Sequence, residues 1–184
     1  KAGDPLLQPD LLQPETSYTI AQGNSGWGRE DVAVVRDNGV KLTSYSGSDI
    51  FFGYEPYSFI GQPAPREATW EVELKVRGFD PARDGAFHKA GIVLWQDNDT
   101  FLNVGAVADK QFNQLYLEAL ATGKSTVSRQ WGWHDLSATD IYVRLARSGP
   151  TTYLVSTSYD GKSWEKLEPI EADLPEPELR LMTS

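Results

Sequence analysis

The chain has 184 residues, the length of one domain or of one domain with a tail, which leaves no room for a second catalytic domain. Seventeen basic against 26 acidic residues give a net charge of -9, the wrong sign for neutralising phosphates, so no nucleic acid and no anionic membrane is expected as a partner. There is no cysteine, which removes disulfides, thiol nucleophiles and thiolate metal sites, and the two histidines, His88 and His134, supply a zinc site poorly.

Hydrophobic residues at 40% and charged residues at 23% are globular values, and a chain of this size buries roughly two thirds of its surface. No run approaches the roughly 20 apolar residues that cross a bilayer, so no membrane insertion is expected. The N-terminus lacks the charged-then-apolar layout of a signal peptide, and the expectation is a mature fragment. Cysteine-free, acidic and aromatic-rich composition suits a secreted bacterial protein. Six Trp, eight Tyr and seven Phe exceed the needs of such a core, so some rings are expected at the surface.

In chain order, residues 1–17 repeat Leu-Leu-Gln-Pro at 6–9 and 11–14, and the prolines forbid a regular helix or central strand. This stretch reads either as a linker or as an arm whose leucines pack on the domain. From Tyr18 to Ser184 the pattern is short β-rich runs punctuated by Gly, Asn, Asp and Pro, with no helical period longer than two turns. Strands are predicted at 31–36, 40–45, 69–76, 89–96, 101–107, 114–121, 126–130, 141–147, 152–159 and 178–182. Asp97-Asn98-Asp99 and Asp160-Gly161 are hairpin turns. So many strands in this length imply an all-β, two-sheet antiparallel β-sandwich.

Alternation sorts the faces. Trp70, Val72, Leu74 and Val76 oppose Glu71, Glu73 and Lys75; Ala90, Ile92 and Leu94 oppose Lys89, Gly91, Val93 and Trp95. Leu102, Val104 and Ala106 oppose Phe101, Asn103 and Gly105; Leu115, Leu117 and Ala119 oppose Tyr116 and Glu118. Ile141, Val143 and Leu145 oppose Tyr142 and Arg144. One face of each strand is aliphatic core, and the other mixes rings with polar groups of both signs.

The strand His88-Lys89-Ala90-Gly91, the Asp97-Asn98-Asp99 hairpin, the Val143-Arg144-Leu145 strand and Ser158-Tyr159-Asp160-Gly161-Lys162-Ser163-Trp164 together resemble the concanavalin A-like lectin/glucanase sandwich, in its jelly-roll accessory modules found beside bacterial glycoside hydrolases. The likeness covers roughly Thr69 to Ser184. Its motifs are structural: Gly91 admits close backbone approach, Asp160-Gly161 supplies a positive φ, and Trp164 is expected to plug the end of the core. The resemblance implies a carbohydrate-binding module whose partners are a polysaccharide or oligosaccharide and an upstream catalytic domain in the same chain.

Sugar recognition needs flat rings for CH faces and hydrogen-bonding side chains for hydroxyls. The candidates are Glu73, Lys89, Trp95, Asn103, Tyr116, Glu118, Tyr142 and Arg144, joined by Trp131 and Trp133, which share a side if extended. Their bland reading is a soluble strand face with cross-strand ion pairs, and for the two tryptophans burial under a loop. Aromatic loops at residues 26–28 and 53–59 are further rim candidates. Glu71 and Glu73 are the catalytic alternative as a glycosidase pair, but Lys75 occupies the third acidic slot of an E-x-D-x-E pattern. Asp97 and Asp99 are weak candidates for a structural calcium, with turn chemistry the first explanation; Asp80 and Asp84 stand in the same relation to theirs. The other readings are a glycan-active hydrolase or lyase of the same fold, and a packing module with no ligand.

Overall fold

Fourteen strands and no helix occupy the described residues, which in this computed structural model are 19–22, 33–36, 39–42, 58–77, 87–109, 114–124, 126–135 and 140–183. The strands are β1 (Thr19–Gln22), β2 (Ala33–Arg36), β3 (Gly39–Leu42), β4 (Ser58–Pro63), β5 (Trp70–Arg77), β6 (Phe87–Trp95) and β7 (Phe101–Asp109). They continue as β8 (Gln114–Ala121), β9 (Val127–Asp135), β10 (Asp140–Arg147), β11 (Thr152–Ser158), β12 (Glu165–Lys166), β13 (Ile170–Glu171) and β14 (Glu178–Thr183).

A seven-stranded sheet runs β1-β4-β14-β6-β7-β8-β9, and a five-stranded sheet runs β12-β11-β10-β5 with β13 also on β11. Strands β2 and β3 form a separate ribbon. Every pairing is antiparallel. The sheets pack face to face because each presents its aliphatic stripe. Ile60, Ile92, Leu94, Leu102, Val104, Leu115, Leu117, Leu179 and Leu181 come from the larger sheet; Val72, Ile141, Val143, Leu145, Tyr153 and Val155 come from the smaller. The chain is thus the all-β, two-sheet antiparallel sandwich that the succession of short strands predicts.

The Asp97–Asp99 hairpin closes as expected, with Trp95 opposite Phe101 and the Asp97 carboxylate accepting the Asp99 N–H at 2.9 Å. Gly161 takes φ 70° in the second hairpin. Gly91 faces Gly105 across β6 and β7. A Cβ on Gly91 would lie 2.2 Å from the Val104 carbonyl oxygen, so the strands approach there as only glycine allows.

Strand β4 was not expected: Gly61 and Pro63 break its pattern, yet it pairs β14 throughout its length and β1 from Ser58 to Gly61. Strand β9 runs five residues beyond the expected 126–130, ending at Asp135. The 1–17 stretch, the 26–28 and 53–57 portions of the aromatic loops, and Asp80 and Asp84 lie outside the described residues.

Candidate functional site

The polar residues that alternation sets opposite the core divide between two surfaces. Strand β5 pairs β10, whereas β6, β7 and β8 are neighbours in the other sheet, so Glu73, Tyr142 and Arg144 point one way and Lys89, Trp95, Asn103, Tyr116 and Glu118 the other. The single surface formed by all of them is therefore corrected to two. Alternation assigns a side chain to a face of its strand; only the pairing assigns the strand to a sheet.

On the outer face of the seven-stranded sheet, register builds three rows. Gly61, Arg180, Val93, Asn103 and Leu120 lie side by side. Beside them run Phe59, Met182, Gly91, Gly105, Glu118 and Gln130, and then Lys89, Val107 and Tyr116. Phe59, Val93, Phe101, Leu120 and Met182 form a second apolar cluster here, with Trp95 packed against it. This face is consequently no ordinary solvent face.

Arg180 is its anchor. The guanidinium carbon lies 3.9 Å from the centroids of both the Phe59 and Trp95 rings. Its Nε and Nη2 donate to Glu178 Oε2 at 2.8 and 2.7 Å. Gly61 makes the room, since a Cβ there would stand 2.6 Å from Glu178 Oε1 and 2.9 Å from Arg180 Cγ. A planar cation between two rings, fixed by a carboxylate, gives stacking and hydrogen bonding together, which lysine cannot reproduce.

Beyond Arg180 lie polar groups with little water. Lys89 is 4% exposed, Glu118 1% and Asn103 2%. Lys89 Nζ stands 3.5 Å from Glu118 Oε1, close enough to pair the charges but not aligned as a hydrogen bond. Gln130 Nε2 donates to Glu118 Oε2 at a long 3.4 Å. Glu118 Oε1 and Asn103 Oδ1 are buried acceptors with no hydrogen-bond partner. Both lie on this outer face, while Trp70 Nε1, Trp131 Nε1 and the Tyr153 hydroxyl are buried without a partner elsewhere in the fold.

On the other surface, the outer face of the five-stranded sheet, Arg144 Nη2 donates to Glu73 at 2.7 Å and Arg144 Nε stands 3.4 Å from Glu71. The Trp164 ring lies over the Arg144 guanidinium at 3.7 Å, so Trp164 covers this face and does not plug the core. Lys75 pairs with Asp140 at 2.8 Å and lies 4.9 Å over the Tyr142 ring. Glu71 and Glu73 thus share one guanidinium in an exposed cross-strand ladder. A shallow depression of about 270 Å³ beside it is lined by Thr157, Ser158, Tyr159, Ser163, Trp164 and Glu165.

Trp131 is a further correction. It lies opposite Leu117 on the core side of β9, 7% exposed and packed in the main core. The register shifts between Leu115 and Leu117, so the rule that residues two apart share a face does not carry on from Trp131 across the bulge. Trp133 falls on β9, and its side chain lies outside the described residues. Arg180 is a functional candidate that the sequence reading missed, and Phe59, read there as part of an aromatic loop at 53–59, lies on strand β4. For Arg180 the signal was present, because Leu179 and Leu181 alternate with Glu178, Arg180 and Met182. Among the described residues no three His, Asp or Glu side chains come together to hold a metal ion, and no helix is long and apolar enough to cross a membrane.

The sequence matches no family model and no curated protein. Solved structures do match in fold. A functionally unknown protein from Saccharomyces cerevisiae is similar at TM-score 0.56 and 17% identity, over 91% of this chain and 92% of that one. A GH43_12 protein retrieved from capybara gut metagenome is similar at TM-score 0.66 and 11% identity, over 94% of this chain but only 33% of that one. β-Agarase A from Zobellia galactanivorans is similar at TM-score 0.52 and 9% identity, over 92% and 71%. At these identities the likeness is one of fold: a β-sandwich that glycan-active proteins also contain.

Proposed function

We propose that this chain is a non-catalytic carbohydrate-binding module of a secreted glycan-degrading protein, with its site on the outer face of the seven-stranded sheet. The observation that carries the reading is the juxtaposition on that face of the Phe59 and Trp95 rings, held about Arg180, with the unsatisfied acceptors Asn103 Oδ1 and Glu118 Oε1. Rings serve sugar CH faces and buried polar groups serve hydroxyls. The fold shared with a GH43_12 protein, in which it accounts for a third of the chain, supports an accessory role beside a catalytic domain. Such a module acts by adsorption, raising the effective concentration of its catalytic neighbour at the polymer.

The test is affinity electrophoresis of the purified chain in polysaccharide-containing gels, with an assay for released sugars in parallel. Retardation without release, weakened at least about tenfold (about 1.4 kcal/mol) by Trp95→Ala, is the expected result. Release of sugars would replace the module with a glycan-active enzyme. Absence of retardation in every gel would leave a packing domain.

A further inference from the structure

We propose that the depression beside the Ser158–Trp164 hairpin is a second saccharide site, one that takes a short oligosaccharide or the end of a chain. It lies against the five-stranded sheet, apart from the face assigned to polymer binding, and it stands or falls independently of that reading. Its volume of about 270 Å³ sits at the lower end of small-molecule sites, which run from roughly 300 to 1,000 Å³, so it suits a saccharide unit rather than a length of polymer. The depression is open: Ser163 and Glu165 at its rim are exposed, and the Tyr159 and Trp164 rings in its walls are half-buried. Thr157 and Ser158 form its floor, 1% and 2% exposed, with their hydroxyls already donating to the Tyr142 carbonyl at 2.8 Å and to Asp160 Oδ1 at 2.9 Å. A ligand entering here strands no buried polar group.

The groups left at the walls and rim are those that recognise a sugar. The two rings serve CH faces. Glu165, which enters no ion pair among the described residues, accepts a hydroxyl hydrogen in a charge-assisted bond, the stronger kind. Ser163 gives its hydrogen to Asp160 Oδ2 at 3.1 Å and keeps its oxygen lone pairs for a second hydroxyl. These groups are also set in place before a ligand arrives. The Trp164 ring rests on the Arg144 guanidinium at 3.7 Å, and Glu73 at 2.7 Å and Glu71 at 3.4 Å hold that guanidinium in turn. Asp160 Oδ1 accepts the Lys162 and Ser163 N–H groups at 2.7 Å each. Gly161, at φ 70°, lies so close to the Tyr142 ring that a Cβ would stand 3.1 Å from it. A hairpin fixed in this way gives up little freedom on binding, which is what lets a small, shallow site hold a ligand.

The experiment follows the indole N–H signals of the isotopically labelled whole chain by heteronuclear NMR during titration with xylotriose, cellotriose and mannotriose. The Trp164 and Trp95 signals are identified by their loss in Trp164→Ala and Trp95→Ala. At least one of the trisaccharides is expected to move the Trp164 signal, in the parent chain and in Trp95→Ala alike. Glu165→Gln, a change at an exposed position, should keep the melting temperature and weaken that response about tenfold. Polysaccharide retardation is not the readout, because a polymer presents few ends. A Trp164 signal unmoved by all three sugars would overturn the second site. Movement of the Trp95 signal alone would do the same while leaving the polymer-binding reading in place. A folded Glu165→Gln chain with unchanged affinity would take the carboxylate out of the site and sink the proposal.

Discussion

Arg180 combines a stack between two rings with a double hydrogen bond to one carboxylate, and the two demand a planar, fork-shaped cation. Replacing it by lysine keeps the charge and loses both geometries. Arg180→Lys is therefore expected to lower unfolding stability by about 1–3 kcal/mol, measured by urea denaturation, and an unchanged midpoint would refute the anchoring role. At this scale much of the proposed site was legible. Lys89, Trp95, Asn103, Tyr116 and Glu118 were placed opposite the core by simple alternation, and the structure puts them there. Phe59 was not, because Gly61 and Pro63 interrupt the strand that carries it. That same glycine is what admits the side chains of Glu178 and Arg180, so the residue that hid the strand also makes room for the Arg180 stack.

The hairpin from Ser158 to Trp164 is tied by its own side chains. Asp160 Oδ1 accepts the Ser163 and Lys162 N–H groups, each at 2.7 Å, and the Ser158 hydroxyl at 2.9 Å. These bonds, the Ser163 and Lys162 amides first, hold the Asp160 carboxyl well below its ordinary value of 3.8. Between the two values the unfolded chain binds the proton and the native one does not, so stability present above about pH 4 is lost as pH falls further. Tyr159 does the opposite: burial first, then the Glu165 carboxylate, push its hydroxyl up from 10.0 to about 12. The unfolded chain gives up that proton first, so stability declines as pH rises from about 10 through 12. Melting temperatures across pH should show Asp160→Asn less stable at neutral pH with a flatter acid limb, and Tyr159→Phe with a flatter alkaline limb; limbs identical to the parent would contradict the assignment. This element was legible because turn chemistry is local. The reach of Trp164 was not, since its resting place over Arg144 depends on a strand some twenty residues earlier.

Across the whole molecule the two outer faces are separated by the core, with sheets about 10 Å apart. Arg144→Ala should therefore leave polysaccharide retardation unchanged, while costing about 1 kcal/mol from an exposed ion pair and ring contact. Lost binding in that variant would move the site to the five-stranded sheet. Sheet membership was the part the sequence did not disclose. Hydrophobic period reports which way a side chain points, but the pairing of β5 with β10, and of β14 with β4 and β6, is decided by contacts far apart in the chain.

The seat of β14 also orders events in time. Strands β4 and β6 share no hydrogen-bonded edge except through it, and it is the last of the fourteen to leave the ribosome. While residues 178–183 are still in the exit tunnel, both neighbours wait with open edges, the condition under which strands find wrong partners. The β1-β4 pair and the β6-β7-β8-β9 block can each form earlier, but their union into one sheet is postponed until residues 178–183 have emerged.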